Sequence, residues 1–185
     1  MRQSQCPGSR FIILIVVVFV FISMIDFGGP GPDAKVKVGK LPKKSIASFQ
    51  LQTIDGRQFS LLDLRGKVVA LNFFAVWCGH SKQHFQTLTR LASEENGLQI
   101  IGLSVECPES TPERLAQLIK DYKIPYPVGM IKDRVFSEYV ESRDVSVPQT
   151  LIYGRDGRLA AHFSGHDAKV DSDLTATVKR ELEKP

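Results

Sequence analysis

Cysteine is scarce in this chain of 185 residues, which contains three: Cys6, Cys78 and Cys107. Three cysteines cannot form a complete disulfide framework, so the chain is not a small secreted domain held together by disulfide bonds. Each cysteine is therefore interpreted as a separate site.

The sequence also lacks the features of a nucleic-acid-binding protein. Lysine and arginine outnumber aspartate and glutamate by only 24 to 20, and there is no zinc-finger spacing, basic helix face or interleaving of aromatic and basic residues. Much of the positive excess lies in one short segment with five lysines: Lys35, Lys37, Lys40, Lys43 and Lys44. This segment is typical of a solvated linker, or of a segment attracted to anionic lipid, and we expect no nucleic-acid partner.

A long uncharged apolar run occurs near the amino terminus. Phe11 to Ile25 contains no charged residue and follows Arg2 and Arg10. A basic segment before an apolar one is typical of a secretion signal or a signal anchor. The run is shorter than the roughly 18–20 residues of a full membrane span. Because no cleavage site with small residues follows, we predict an uncleaved transmembrane anchor over residues 11–27, with residues 1–10 in the cytoplasm.

Glycine and proline are concentrated in residues 28–32, which would end any helix. We therefore predict a linker over residues 28–45 and one folded domain over residues 46–185, since about 140 residues can bury one core. The arginines before the apolar run favour a domain on the periplasmic, extracytoplasmic side, and the more distant lysines after it favour the opposite orientation. Cys6 precedes the run, so it is not a lipoprotein cysteine, and we interpret it as an inert thiol.

The pattern of apolar residues within this domain predicts an α/β fold. A hairpin over residues 49–61 turns at Asp55-Gly56 and is followed by a strand, Val68 to Val76, that is apolar on both faces. The other predicted elements are a helix after Cys78, a strand over 98–105, a helix from 112, an edge strand over 126–130, a helix over 135–140, strands over 149–153 and 158–163, and a helix over 171–182. This order predicts a central mixed β-sheet flanked by helices, with an N-terminal β-hairpin extension.

Cys78 lies where the buried strand ends and the next helix begins. The amino terminus of a helix carries unpaired N–H groups and about half a positive charge, which favours a thiolate over a thiol. The thiolate is the nucleophile in thiol exchange, and Trp77 beside it offers an apolar platform. The position therefore indicates a nucleophile rather than a small buried hydrophobic residue.

Four segments, in this order, resemble the thioredoxin superfamily and most closely its TlpA/ResA-type membrane-anchored thiol–disulfide oxidoreductases, which have a redoxin domain. They are the hairpin over 49–67, the strand and turn over 69–79, the loop Val147-Pro148-Gln149-Thr150 and the hairpin turn over 154–158. The resemblance extends over about residues 39–183. It implies a thioredoxin-like fold, a domain outside the cytoplasm and a cis peptide bond before Pro148, in a loop that faces Cys78 and binds an extended substrate chain.

The active-site motif departs from the Trp-Cys-x-x-Cys pattern of that family. In Trp77-Cys78-Gly79-His80-Ser81, a serine stands where the family has its resolving cysteine. Serine cannot attack a disulfide, so a mixed disulfide on Cys78 would need an outside thiol or Cys107 for its release. The family also often has glutamate six residues after the first cysteine. The imidazole of His84 replaces that acid here.

Cys107 is the possible resolving thiol within the chain. It follows the strand over 98–105, which we expect to run parallel to the strand before Cys78, so both thiols would lie at the same edge of the sheet. A disulfide requires Cα atoms within about 7 Å, and the more common outcome is a loop thiol out of reach.

Four histidines remain to be interpreted. His80 and His84 are four residues apart in a predicted helix, a spacing that suits a metal ion. No carboxylate completes a ligand set with them, so we predict no metal site. His162 and His166 flank the last hairpin, and we expect both at the surface.

The leading hypothesis is thiol–disulfide exchange with Cys78 as nucleophile, which needs no cofactor. The predicted supporting residues surround the thiol or form the opposite loop: Trp77, Gly79, His80, Ser81, His84, Val147 and Pro148. The expected partners are a protein thiol or disulfide client and an external reducing thiol, and we expect a monomer. The alternatives are a redox-inactive module that binds an extended client chain and, less favoured, a metal-binding protein, so enzymatic activity stays an open question.

Overall fold

A computed structural model describes the chain at residues 50–105, 107–108, 110–140 and 146–185. The predicted cytoplasmic segment, anchor and linker lie outside these ranges, as do Cys6 and the first four residues of the predicted domain. Within the described ranges, no helix has the length and apolar character needed to cross a membrane.

The described part of the chain contains seven strands and four α-helices. The strands are β1 (Gln50–Gln52), β2 (Gln58–Ser60), β3 (Val68–Phe74), β4 (Leu98–Val105), β5 (Val128–Ile131), β6 (Gln149–Tyr153) and β7 (Leu159–Ser164). The helices are α1 (Gly79–Glu94), α2 (Pro112–Asp121), α3 (Asp133–Val140) and α4 (Ala168–Glu183), and a short 3-10 helix spans Leu61–Leu64. Each element predicted from the apolar pattern is present.

Five strands form the central sheet in the order β5-β4-β3-β6-β7. Strand β3 runs parallel to β4, with Phe74 opposite Ser104 at the carboxyl end, and antiparallel to β6. Strand β7 is the antiparallel partner of β6. The predicted mixed sheet is confirmed. Its parallel pair brings the segments after β3 and β4, which carry Cys78 and Cys107, to the same edge.

Apolar side chains fill both faces of the sheet, and β3 is buried along its whole length. Helices α1, α2 and α4 supply one layer of the core, in which Phe74 meets Phe85 edge to face with ring centroids 5.0 Å apart. Helix α3 and β1 supply the other layer, where Phe136 lies against Phe73 at 5.3 Å. The sheet therefore holds α1, and with it Cys78, against its first face.

Strands β1 and β2 form a separate antiparallel hairpin, as predicted for the N-terminal extension. It lies against β5, where Thr53 pairs with Gly129 and the N–H of Ile54 donates to the carbonyl of Val128 at 2.9 Å. A Cβ atom at position 129 would lie 2.6 Å from the carbonyl oxygen of Gln52, so this close approach requires glycine.

The boundaries of the last two helices differ from those predicted. Helix α4 begins at Ala168, three residues before the predicted start, because Asp167 caps it with a carboxylate that accepts a hydrogen bond from the N–H of Val170 at 2.7 Å. Helix α3 begins at Asp133 rather than at residue 135. Both starts carry an aspartate, the residue type that satisfies the free N–H groups of a first turn.

Candidate active site

Cys78 lies four residues beyond the end of β3 and is the N-cap of α1. Its backbone is extended (φ −82°, ψ 118°), and its carbonyl accepts the hydrogen bond from the N–H of Lys82 at 3.2 Å. The first turn of α1 contains no acidic residue, so no carboxylate opposes the positive field of the helix end. The predicted position of the thiol at a helix amino terminus is confirmed.

The loop before β6 lies directly against this thiol. Cys78 is 7% exposed, and its Sγ donates a hydrogen bond to the carbonyl oxygen of Val147 at 3.3 Å. The Val147–Pro148 peptide bond is cis, as the sequence resemblance implies. The hydrogen bond stabilises the thiol, whereas the helix end stabilises the thiolate. The two interactions therefore oppose each other.

The rim around the buried thiol is accessible. Trp77 is 44% exposed, which is unusual for a large apolar side chain. Gly79 and His80 are also exposed, at the start of α1. The thiol is therefore buried between neighbours in sequence that are themselves exposed.

Ser81 occupies the position of the missing second cysteine. It is fully buried, and its Oγ has no hydrogen-bond partner among the described residues. A buried hydroxyl without a partner destabilises the folded state by about 1–3 kcal/mol. The hydroxyl of Ser81 thus occupies the buried position that a resolving thiol would occupy, and it makes no hydrogen bond there with the described residues.

Cys107 makes its contacts within its own loop. Its Sγ lies 3.3 Å from Oγ of Ser110, and that hydroxyl donates to the carbonyl of Val105 at 3.1 Å. Cys107 and Cys78 are both free thiols. The role of Cys107 as a resolving thiol stays a prediction.

His84 lies in the interior, 1% exposed, and joins α1 to β6 and α4. Its Nε2 lies 3.0 Å from Oγ1 of Thr150, and its Nδ1 lies 3.2 Å from Oδ1 of Asp171. Asn72 extends the network by donating from Nδ2 to Oγ1 of Thr150 at 3.1 Å. Thr87 donates to Oδ2 of Asp171 at 2.5 Å. This polar network therefore crosses the core from β3 to α4.

The carboxylate of Asp171 is the acceptor at the α4 end of this network. Burial raises the pKa of Asp171, but hydrogen bonds from His84 and Thr87 and the nearby imidazoles of His84 and His166 outweigh burial and hold that pKa below its ordinary value. Asp171 therefore stays ionised and can accept several hydrogen bonds at once.

The expectation that His162 and His166 lie at the surface is wrong, since both are partly buried. Nδ1 of His166 lies 3.2 Å from Oδ1 of Asp171, and Nε2 of His162 lies 2.6 Å from Oε1 of Gln149. Each imidazole is partly buried because it forms a hydrogen bond with a polar side chain, Asp171 for His166 and Gln149 for His162. His80 and His84, whose spacing suggested a shared metal, diverge instead: His80 is exposed and His84 faces α4.

The predicted site residues thus fall into two groups. Cys78 and Val147 meet at the amino end of α1, while His84 belongs to a network whose other members, Thr150 and Asp171, were not predicted as site residues. A usable signal was present in the sequence. His84 lies on the same helical face as apolar residues of the buried stripe, and a polar residue there requires an internal partner.

The profile of the AhpC/TSA family matches residues 42–162. The thiol–disulfide oxidoreductase ResA of Bacillus cereus is 22% identical over 168 residues, which cover 87% of this chain and 91% of ResA. The thioredoxin-like protein YneN of Bacillus subtilis is 26% identical over 125 residues, which cover 67% of this chain and 72% of YneN.

Two solved structures are similar in fold. The secreted thiol–disulfide isomerase of Corynebacterium glutamicum matches with a TM-score of 0.68 and 18% identity, over 86% of this chain and 99% of the isomerase. A thioredoxin-family thiol:disulfide interchange protein of Chlorobium tepidum matches with a TM-score of 0.64 and 22% identity, over 82% of this chain and 99% of its own. The chain therefore belongs to the AhpC/TSA family, and its fold is that of the thioredoxin-like proteins.

Proposed function

We propose that the protein exchanges thiols and disulfides through the single thiol of Cys78, on the extracytoplasmic side of a membrane. The observation that supports this most is that Cys78 caps α1 opposite the carbonyl of Val147, while Ser81 stands at the resolving position. The site keeps the attacking group and lacks its neighbour. The protein is thus a monothiol exchanger that depends on a second thiol.

The reaction balances with external thiols. The Cys78 thiolate attacks one sulfur of a client disulfide, so that the client S–S bond breaks, a mixed disulfide forms and the other client sulfur leaves as a thiolate. An external thiolate then attacks the sulfur of Cys78, which releases the second client thiol, and another external thiolate frees Cys78 again. Two external thiols are oxidised to one disulfide for each client disulfide reduced, and the protons go to the released thiolates.

Residues around Cys78 have separate roles in this proposal. The amino end of α1 stabilises the thiolate, and Ser81, one helical turn away, keeps a buried hydroxyl without a partner among the described residues. Once Cys78 ionises, it no longer donates to the carbonyl of Val147, which can then accept an N–H from an extended client chain. Trp77 provides an apolar contact for that chain, and His80 lies exposed at the start of α1.

The second candidate function is a redox-inactive module that binds an extended client without turnover. The hydrogen bond from the Cys78 thiol to Val147 favours it, because that bond stabilises the protonated thiol. The binding groove would be the same in both cases. Only the reactivity of the thiol separates the two.

Alkylation by iodoacetamide tests this difference in the full-length chain with Cys6 and Cys107 changed to serine. We compare the ratio of the rates at pH 7 and pH 9 in the folded protein with the same ratio in concentrated urea, because the ratio cancels differences in access. A folded ratio closer to one supports an activated thiolate. A folded ratio equal to or below that of the unfolded chain contradicts thiol exchange and favours the binding module.

The membrane arrangement is a separate part of the proposal. Residues 11–27 form the anchor, residues 28–45 the linker and residues 46–185 the outer domain. The charge pattern before the apolar run supports this orientation, and the structurally similar protein of C. glutamicum is described as secreted. Protease added to intact spheroplasts should remove the domain. A protected domain that is degraded only after lysis would contradict the orientation.

A further inference from the structure

A second cluster of chemically capable side chains lies away from Cys78. His84 of α1, His166 before α4 and Asp171 in the first turn of α4 bring two imidazoles and a carboxylate together, and their ligand atoms all lie within 4.8 Å of one another. The three residues come from two helices and a loop. Their convergence is therefore a product of the tertiary fold.

Two of the three spacings in this cluster match the edges of a tetrahedral metal site. Nδ1 of His84 and Nδ1 of His166 each lie 3.2 Å from the same atom, Oδ1 of Asp171. Ligands about 2.0–2.1 Å from a zinc ion lie about 3.3–3.4 Å from each other in a tetrahedron. Both edges that include Oδ1 are close to that value, and the third, between the two imidazoles, is at most 4.8 Å. An ion that replaced the two N–H protons would therefore draw the two rings toward each other.

The surroundings hold two of the three ligands, His84 and Asp171, in the required state. If Nδ1 of His84 binds a metal, its proton lies on Nε2, which faces Oγ1 of Thr150 at 3.0 Å. That oxygen accepts from Asn72 and has a second lone pair for the imidazole. Thr87 donates to the other oxygen of Asp171 and so orients Oδ1 toward the two rings. Outer partners of this kind are usual for metal ligands.

Charge and access are also suitable. Two neutral imidazoles and one carboxylate form a donor set that zinc and related first-row divalent ions accept. The His84 side chain is 1% exposed, whereas His166 and Asp171 are 16% and 22% exposed, so the cluster opens to solvent on one side. A water molecule could fill the fourth position from that side.

We propose that His84, His166 and Asp171 form a binding site for one divalent transition-metal ion, with Zn²⁺ as the expected metal. The ion would join α1 to the start of α4 and would not touch Cys78. This inference goes beyond thiol exchange and does not depend on it.

The test uses the full-length chain in mild detergent, freed of metal by a chelator, with Cys78 changed to serine. Titration with Co²⁺ is followed by visible absorption, and Zn²⁺ is titrated by calorimetry and by its effect on the Tm. We expect one ion per chain, a higher Tm with Zn²⁺ and no thiolate-to-cobalt band. His166→Ala and Asp171→Asn should each weaken binding by at least about 10-fold.

His162→Ala is the matched control, because it removes another partly buried histidine that lies outside the cluster. It should leave metal affinity unchanged. Equal binding by the parent, H166A and D171N proteins would overturn the proposal, since the ion would then bind elsewhere. An absence of saturable binding by a parent protein with a cooperative thermal transition would show that the cluster is a hydrogen-bonded network only. Because His84 is the most buried member, the test avoids changing it.

Discussion

Helix α1 carries two polar groups of very different construction. At its amino end, Cys78 makes one side-chain hydrogen bond, to Val147, and the hydroxyl of Ser81 makes none. Further along the same helix, His84 uses both ring nitrogens, and Asp171 accepts hydrogen bonds from three side chains. The amino end of α1 is sparsely bonded, whereas the network around His84, in the second turn, is nearly saturated with hydrogen bonds.

The difference separates reactivity from rigidity. A thiol that must leave one partner for another gains from having few competing hydrogen bonds. A buried imidazole and carboxylate, in contrast, stabilise a fold only when their partners are complete. We infer that the network around His84 fixes α1 against β6 and α4, so that Cys78 keeps its place opposite Val147.

The largest expected effect comes from adding a second thiol at the sparsely bonded amino end of α1. Ser81→Cys restores the two-cysteine pattern, and the release of a mixed disulfide from Cys78 becomes intramolecular. We expect the rate of reduction of a disulfide peptide, with a small thiol as reductant, to rise by about 10-fold or more. Ser93→Cys places a thiol on the exposed part of α1 and should give no such gain. An S81C rate equal to that of the parent would refute the monothiol interpretation.

The second largest effect is expected from disrupting the hydrogen-bond network around His84. Asp171→Ala leaves Nδ1 of His84 and the hydroxyl of Thr87 without an acceptor in the interior, at about 1–3 kcal/mol for each group. We expect the free energy of unfolding in urea, measured by circular dichroism, to fall by about 2–4 kcal/mol. Asp173→Ala is the matched control. Asp173 pairs with Lys169 on the solvent side of the same helix, so its loss should change stability by less than about 1 kcal/mol.

The fold could be predicted from the sequence because its strands and helices have clearly different patterns of apolar residues. The continuous apolar run of β3 predicted a central strand, β4 was expected parallel to β3, and β7 was expected antiparallel to β6. The pairing of β6 with β3 was not predicted. The start of α4 was missed because Asp167 was not recognised as its N-cap, and a cap shifts a helix boundary without changing its apolar face. Local capping is decided by a single side chain, which periodicity does not detect.

The candidate site divides in the same way. The position of Cys78 at a helix start and the cis bond before Pro148 were both predicted, because a local motif carries each. The pairing of His84 with Asp171 was not, since 87 residues separate them and no local pattern links them. The surface placement of His166 failed for a local reason, because its acceptor Asp171 lies five residues further along the chain, in the first turn of α4.

The third effect is a modest gain in stability, expected from removing the unpaired hydroxyl of Ser81 near the amino end of α1. Ser81→Ala eliminates a buried oxygen that has no partner, and we expect the free energy of unfolding to rise by about 1 kcal/mol. Ser93→Ala on the same helix removes an exposed hydroxyl that donates to the carbonyl of Arg90 and should change stability by no more than about 0.5 kcal/mol. A loss of stability in S81A would mean that Ser81 has a partner in solution, such as a bound water.

The smallest expected effect is a change in how the free energy of unfolding depends on acid pH, through Asp171 in the network around His84. The pKa of Asp171 is lower in the folded chain than its ordinary value, so its ionised form contributes stability above the unfolded pKa, near 3.9. This contribution is lost as the pH falls from there through the folded pKa. Asp171→Asn removes the titration, so the stability gap between the parent and D171N proteins, measured in urea with chelator present, should narrow below about pH 4. Asp55, whose pKa is lowered to about 2 by hydrogen bonds from Arg57 and Thr53, is common to both proteins and cancels in the difference. If the difference in the free energy of unfolding stays constant from pH 7 to pH 3, the ionised form of Asp171 has no preferential interaction in the folded protein. The network around His84 would then differ from the amino end of α1 in packing rather than in charge.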